Sequence, residues 1–167
     1  MSLTLDVFEL SRTRGVVEGD MPLEDMPELA SEVLGLEDGS VHFRIEGLGI
    51  VERLPAALLT IEAGVVMQCA RCNEPVTVPV SRELTFRFTK TEEEANALPI
   101  DEEGEDEEVI VGSKKLSAAA WIQEEVILSL PAMPLHEDCE AEWEDDEEPA
   151  PEEEKPNPFA ALAALKH

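Results

Sequence analysis

The sequence has little positive charge and few aromatic residues. Its 167 residues include 12 Lys and Arg against 39 Asp and Glu, which gives a net charge of −27, and it has no tyrosine and only 4% aromatic residues. Proteins that bind nucleic acid over a broad surface usually carry a basic face and flat side chains on which bases stack. The composition therefore argues against extensive RNA or DNA contact by the chain as a whole.

Long apolar runs and a Gly-rich phosphate-binding loop are missing as well, and no secretory leader is expected. The apolar stretches around residues 56–59 and 118–122 fall far short of the roughly 20 residues that a membrane span needs. Asp6 and Glu9 interrupt the apolar N-terminus, and no basic cluster precedes it, which disfavours a secretory signal. No histidine lies near a serine in a nucleophile-elbow context. We therefore expect a cytoplasmic protein that is not an enzyme and has neither a membrane partner nor a small-molecule substrate.

Cysteine is scarce, but its spacing is informative. Three cysteines are an odd number in a reducing compartment, so a disulfide framework is disfavoured. Cys69 and Cys72 form one close pair, and His136 and Cys139 form another with the same spacing. Zinc takes four sulfur or nitrogen ligands in tetrahedral geometry, often from two such pairs, so these four residues predict a structural zinc site.

Two other interpretations of the cysteines remain open. The two pairs could be partly buried small residues that never meet in the fold. A thioredoxin-like redox pair is less favoured, because it needs the first thiol at a helix N-terminus, whereas Cys69 follows a strand-like segment and Pro75 follows Cys72.

The acidic residues are concentrated in two segments. Residues 91–108 carry ten acids and residues 137–154 carry twelve, and neither segment contains a Lys or Arg. Without these 22 acids the net charge of −27 would be −5, so the remaining chain is only mildly acidic. We expect a solvated, flexible loop and an acidic linker over residues 137–155. They serve either solubility or the attraction of a basic partner such as a ribosomal protein.

Hydrophobic periodicity predicts an α+β body over residues 1–136. One helix is expected at residues 22–34, and a second begins at a Ser117 cap and ends before Pro131, with Gln123 and Glu124 off its apolar face. The CxxC pair should lie at the bend of a hairpin. Together these elements predict an antiparallel sheet or partly closed barrel flanked by helices. Strands are expected at residues 40–47, 54–68, 76–89 and 109–111.

A few basic residues lie on or beside this predicted hairpin. Arg71, Arg82, Arg87 and Lys90 are candidates for contact with RNA phosphates, and Arg82 and Lys90 share strand parity while Arg87 faces the other way. The alternative is that they are ordinary solvated charges on a sheet.

The C-terminal segment over residues 156–167 predicts a short docking helix. Asn157 is a good N-cap and Pro158 suits the first helical position, while Phe159, Leu162 and Leu165 can share an apolar stripe. Such a segment is too short to be stable alone. It would pack either on the body's own core or in a groove of a partner.

Three segments in this order resemble the YceD family, the large ribosomal RNA subunit accumulation proteins of bacteria. They are "CARCNEP" in the hairpin, "EEVILSLPAMPLHEDC" after the acidic loop, and "KPNPFAALAALKH" at the end. The resemblance spans residue 54 to the C-terminus. It implies a non-catalytic ribosome biogenesis factor needed for synthesis, processing or stability of 23S rRNA, and it implies no catalytic residues.

Two mechanisms are compatible with that resemblance. The chain could contact precursor 23S rRNA through the basic hairpin, or it could act as an adaptor or escort whose acidic segments hold a basic ribosomal protein or an rRNA-processing factor. A zinc-stabilised interaction module unrelated to rRNA is the remaining alternative.

Overall fold

The structure is a computed structural model and describes residues 3–99, 106–139 and 158–165. In chain order its strands and α-helices are β1 (Thr4–Leu5), α1 (Val7–Thr13), β2 (Val16–Pro22), β3 (Ser40–Val51), β4 (Leu54–Gln68), β5 (Pro75–Thr89), α2 (Glu92–Asn96), β6 (Glu107–Val111), β7 (Leu116–Ser117) and α3 (Ala118–Ser129). Short 3₁₀ helices occur at Leu23–Asp25, Pro27–Ser31 and Ala160–Leu165.

The centre of the fold is a five-stranded sheet in the order β2-β3-β4-β5-β6. Neighbouring strands from β2 to β5 are antiparallel, whereas β6 runs parallel to β5. β1 and β7 form a separate two-stranded antiparallel sheet. The α+β prediction is confirmed, and the described strands form no closed barrel.

One face of the sheet carries the core. Val41, Phe43 and Ile45 of β3 are buried, while the alternating His42 and Arg44 are exposed, as a half-buried strand requires. Helix α3 covers this face, where Trp121 packs edge-on against Phe86 and Phe88 with ring centroids 4.9 and 6.1 Å away. Each large apolar side chain buried here contributes roughly 1.5–3 kcal/mol. The core lines the sheet and fixes α3 against it.

Several predicted elements are changed in the structure. The single helix expected at residues 22–34 is replaced by two 3₁₀ helices that meet at Met26 and Pro27. Met26 has φ −120° and ψ 72°, because a residue before proline is pushed out of the α region. Gln123 is buried rather than exposed, and its side-chain oxygen accepts a hydrogen bond from the Glu28 N–H at 3.0 Å.

The predicted acidic loop at residues 91–108 contains regular structure at both of its described ends. Thr91 caps α2, since its hydroxyl accepts a hydrogen bond from the Glu94 N–H, and Glu107 and Glu108 belong to β6. Of the predicted linker over residues 137–155, only residues 137–139 are described. Among the described residues, no helix has the length and apolar character needed to cross a membrane.

Candidate functional site

The four predicted metal ligands lie together at one end of the β4–β5 hairpin. The ligand atoms of Cys69, Cys72, His136 and Cys139 all lie within 4.8 Å of one another. The Sγ atoms of Cys69 and Cys139 are 3.5 Å apart, and Cys72 Sγ lies 3.3 Å from His136 Nδ1. Tetrahedral ligands about 2.0–2.3 Å from zinc would be separated by roughly 3.5–3.8 Å. The structure therefore provides a cluster of suitable size and donor type for one metal ion.

A tight turn between β4 and β5 presents the first pair. Cys69 N–H donates to the Glu74 carbonyl at 2.9 Å, and Asn73 N–H donates to the Cys69 carbonyl at 3.0 Å. Asn73 adopts a left-handed φ of 62°, a conformation that asparagine tolerates better than most residues. The turn holds Cys69 buried and Cys72 half-buried, with both thiols facing the second pair.

The loop after α3 supplies the second pair and is fastened to this turn. Ala70 N–H donates to the Pro134 carbonyl at 2.7 Å, and the Arg71 guanidinium donates to the Cys139 carbonyl, also at 2.7 Å. Cys69 and Cys139 are 70 residues apart in the chain. Loop–loop hydrogen bonds thus bring together two pairs that the sequence separates widely.

His136 is oriented as a ligand would be. Its Nε2 lies 2.8 Å from the Pro75 carbonyl oxygen, which can only accept, so Nε2 carries the proton and Nδ1 faces the thiols. The hydrogen bond to this carbonyl, followed by the Cys69 thiol, raises the pKa of His136. Metal-bound histidines commonly donate their second ring nitrogen to a carbonyl in this way.

The thiols differ in their proton affinity. Burial acts to raise the pKa of Cys69, but backbone N–H groups of Cys72, His136 and Arg71 outweigh it and lower that pKa to about 5. The Glu74 backbone acts to lower the pKa of Cys72, but burial and the neighbouring thiols raise it. Backbone donors aimed at Cys69 Sγ favour a thiolate, which is the form that binds metal.

The four basic hairpin candidates are not brought together. Arg71 lies at the metal end of the hairpin, whereas Lys90 follows the other end of β5, whose 15 residues span roughly 50 Å. Arg87 is only 9% exposed, and its guanidinium pairs with Glu52 at 2.9 Å. Arg82 lies 4.0 Å from Glu108. Of these four residues, only Lys90 lines a separate basic cavity.

That cavity was not foreseen from the sequence. Its basic residues are Arg12, Arg14, Lys90 and Lys114, which come from three separate parts of the chain. No local spacing relates them, so only the tertiary structure reveals the group.

Comparisons with known proteins place the chain in a family. The profile of the family described as "Large ribosomal RNA subunit accumulation protein YceD" matches residues 58–166. The chain belongs to the YceD family. A relative named "Large ribosomal RNA subunit accumulation protein YceD" from Haemophilus influenzae is 35% identical over 175 residues, which cover 99% of this chain and 96% of the relative. No solved structure matches the chain.

The region matched to the YceD family includes the four candidate metal ligands and the C-terminal segment. In that segment Asn157 lies outside the described residues, and Pro158 and Phe159 precede the 3₁₀ helix Ala160–Leu165. Phe159, Leu162 and Leu165 are 69%, 56% and 77% exposed. Docking of these residues onto a partner stays a prediction.

Proposed function

We propose that this chain is a non-catalytic ribosome biogenesis factor that sustains the level of 23S rRNA in the cytoplasm. The observation that carries the proposal is its membership of the YceD family, whose description names accumulation of the large ribosomal RNA subunit. The relative from Haemophilus influenzae bears the same name and aligns over nearly the whole of both chains.

We further propose that Cys69, Cys72, His136 and Cys139 bind one structural zinc ion. Four protein ligands leave no open position for a substrate or an activated water, as in closed structural sites. The ion would fasten the loop after α3 to the β4–β5 turn, beside the hydrogen bonds that Ala70 and Arg71 already make to that loop. Its contribution is to stability and to the shape of this end of the molecule.

The metal end of the molecule suits a protein partner better than RNA. The cavity of about 680 Å³ beside the cluster is lined by Glu74, Glu137 and Asp138 together with three of the four candidate ligands, and Arg71 is engaged with the Cys139 carbonyl. The acidic residues of the 137–154 segment begin within this loop. Phosphates would be repelled here, whereas the basic surface of a ribosomal protein or a processing factor would be attracted.

Cellular rRNA levels test the proposed function. Loss of this chain should lower 23S rRNA relative to 16S rRNA, and the wild-type chain should restore the ratio. The Cys72→Ser/Cys139→Ser variant should restore it only partly, while Ser81→Ala, on an exposed strand position, should restore it fully. An unchanged 23S to 16S ratio in cells without the chain would overturn the proposal.

Recovery of partners after RNase treatment separates the two mechanisms. An adaptor should retain its basic protein partner when the RNA is digested, and a chain that contacts RNA directly should give RNA crosslinks that map to its own residues. A partner that survives digestion but has no ribosomal connection would favour the interaction module unrelated to rRNA.

A further inference from the structure

A basic cavity lies at the end of the molecule opposite the metal cluster. It has a volume of about 720 Å³ and sits between α1, the β3–β4 hairpin and the segments that follow β5 and β6. Among the described residues, its lining includes Arg12, Arg14, Lys90 and Lys114 and no carboxylate. Four of the twelve Lys and Arg residues thus converge on one cavity in a chain with 39 acids.

Among the described residues, three of these four cations lack the carboxylate partners that other basic residues have. Arg44 pairs with Glu18 and Arg87 pairs with Glu52, each at 2.9 Å. Within the described part of the chain, no ion pair to a carboxylate engages the side chains of Arg14, Lys90 or Lys114. Arg12 makes one loose and exposed contact with Glu9 at 3.8 Å. Like charges gathered with few counterions repel, and a bound anion would relieve that repulsion.

The cavity wall is held in place by buried contacts. Ser11 is fully buried, and its hydroxyl donates to the Gly49 carbonyl at 2.6 Å and accepts from the Ala56 N–H at 2.9 Å. These bonds fasten α1 to β3 and β4 where the register of that strand pair shifts, between Gly47 and Gly49. Helix α1 therefore presents Arg12 and Arg14 from a fixed position.

The backbone beside Arg14 is specialised for this arrangement. Arg14 ends α1 in the left-handed conformation at φ 51°, and Gly49 has φ 78°. A Cβ atom at position 49 would lie 3.2 Å from Arg14 Nε, closer than most such contacts. Glycine at position 49 thus provides both the positive φ and the space for the guanidinium.

We propose that this cavity binds the phosphate backbone of single-stranded RNA. Arginine and lysine are the main phosphate ligands in RNA-binding proteins. Ile50, 67% exposed, and Pro55 add an apolar surface beside the cations, against which an unstacked base or ribose can pack. The choice of RNA as the polyanion rests on the proposed function in 23S rRNA accumulation.

Binding of full-length protein to a fluorescein-labelled 12-nucleotide uridine RNA tests the proposal. Anisotropy titrations from 20 to 150 mM KCl give the affinity and its salt dependence. Arg14→Gln/Lys114→Gln should weaken binding about tenfold at low salt and reduce the slope of log K against log[salt] by about 1.4, since each single-strand phosphate contact contributes roughly 0.7. Arg44→Gln/Ser81→Glu makes the same change in net charge at exposed positions away from the cavity, and we expect its binding to stay within about twofold of wild type.

Competitors identify the anion. Millimolar inorganic phosphate should displace the RNA only weakly, and poly-glutamate of matched charge should compete far less than unlabelled RNA. Full displacement by inorganic phosphate would indicate a small-phosphate site, and equal competition by poly-glutamate would indicate an acidic protein partner; either result overturns the RNA proposal.

The remaining outcomes are also decisive. Equal losses in the two double variants, or no binding by wild-type protein at 20 mM KCl, would refute the cavity as an RNA site. If Arg14→Gln/Lys114→Gln fails to fold by circular dichroism, Arg12→Gln/Lys90→Gln tests the same cavity. The binding measurements use purified protein and are therefore independent of the cellular assay. If the protein binds no RNA but cells without it still lose 23S rRNA, the cavity is rejected as an RNA site and the proposed function is retained.

Discussion

His136 gives the sharpest residue-level test of the metal centre, because both of its ring nitrogens have assigned roles. Protein purified without added zinc should carry about one zinc per chain, and His136→Ala should lose it. The free energy of metal binding is also folding free energy, so a loss of about 2–3 kcal/mol would lower the Tm by roughly 5–10 °C. Elemental analysis and thermal unfolding measure the two effects.

His42 supplies a matched control for that substitution. It is an exposed histidine on the outer face of the sheet, beside Asp20, and His42→Ala should change neither the zinc content nor the Tm appreciably. If wild-type protein contains no zinc, and a chelator leaves its Tm unchanged, the cluster is a set of reduced thiols beside a histidine.

Glu125 predicts a pH dependence of stability. It is 3% exposed on α3, and its Oε2 has no hydrogen-bond partner among the described residues. Burial, followed by the charge of Glu108, raises its pKa to about 7 from an ordinary value of 4.5, although Arg82 acts to lower it. Because the pKa of Glu125 is higher in the folded than in the unfolded protein, the folded protein is favoured while Glu125 is protonated. This contribution to the free energy of unfolding is complete below pH 4.5 and is lost as the pH rises through 7.

Substitution of Glu125 by an uncharged amide should therefore stabilise the protein only at high pH. We expect Glu125→Gln to raise the Tm by a few degrees at pH 8, where about 1 kcal/mol corresponds to roughly 2–4 °C, and to have little effect at about pH 4. Exposed Glu124→Gln, one residue away, should show no such pH dependence in thermal unfolding. An equal Tm shift at both pH values would contradict the assignment.

Helix α1 depends on one buried hydroxyl for its attachment to the sheet. Ser11→Ala would leave the buried Gly49 carbonyl and Ala56 N–H without that partner. An unsatisfied buried polar group costs roughly 1–3 kcal/mol, so we expect a comparable loss in the free energy of unfolding, measured by urea denaturation. Thr13→Ala removes an exposed hydroxyl of the same helix and should cost far less; equal losses would show that Ser11 has no special role.

The sequence predicts some elements better than others for physical reasons. β3 was predictable because buried and exposed residues alternate along it, β4 because it is rich in Leu, Ile and Val, and the Ser117 cap marks the start of α3. Helix α1 was missed because it has only seven residues, and its capping Asp6 looked like an acid interrupting an apolar stretch. The parallel pairing of β6 with β5 is a tertiary contact that no local pattern encodes.

The two candidate sites also differ in how well the sequence predicts them. The two ligand pairs were predictable because each pair has the short spacing that a tight metal-binding turn requires, and the structure adds their approach across 70 residues. The basic cavity had no such signal. Arg14 and Lys114 are 100 positions apart in the sequence, and they line one cavity because α1 packs against β3 and β4.

At the scale of the whole molecule, the two candidate sites occupy opposite ends of the β4–β5 hairpin. The candidate metal ligands lie at the turn that joins these strands, and the basic cavity lies at the start of β4 and just beyond the end of β5. Fifteen-residue strands separate them by roughly 50 Å. The proposed contact with a basic protein at the acidic end and the proposed contact with RNA at the basic end would therefore not compete.

The C-terminal segment contains a further predicted element, a short segment that docks onto a partner. Phe159, Leu162 and Leu165 expose most of their surface, and a six-residue 3₁₀ helix is too short to be stable without packing. Since these side chains are not buried in the core, deleting residues 155–167 should change the Tm by less than about 2 °C. The 23S to 16S rRNA ratio in cells should nevertheless fall as it does without the chain, because a partner would lose its apolar anchors.

Substitutions within the segment distinguish loss of the apolar side chains from loss of the segment itself. Phe159→Ser/Leu162→Ser should reproduce the fall in the 23S to 16S ratio, whereas Ala161→Ser/Ala164→Ser keeps all three large apolar side chains and should preserve the ratio. If the truncated protein unfolds, the segment belongs to the body's own core. If it supports normal 23S rRNA, the segment is dispensable, and either outcome removes the partner-docking role.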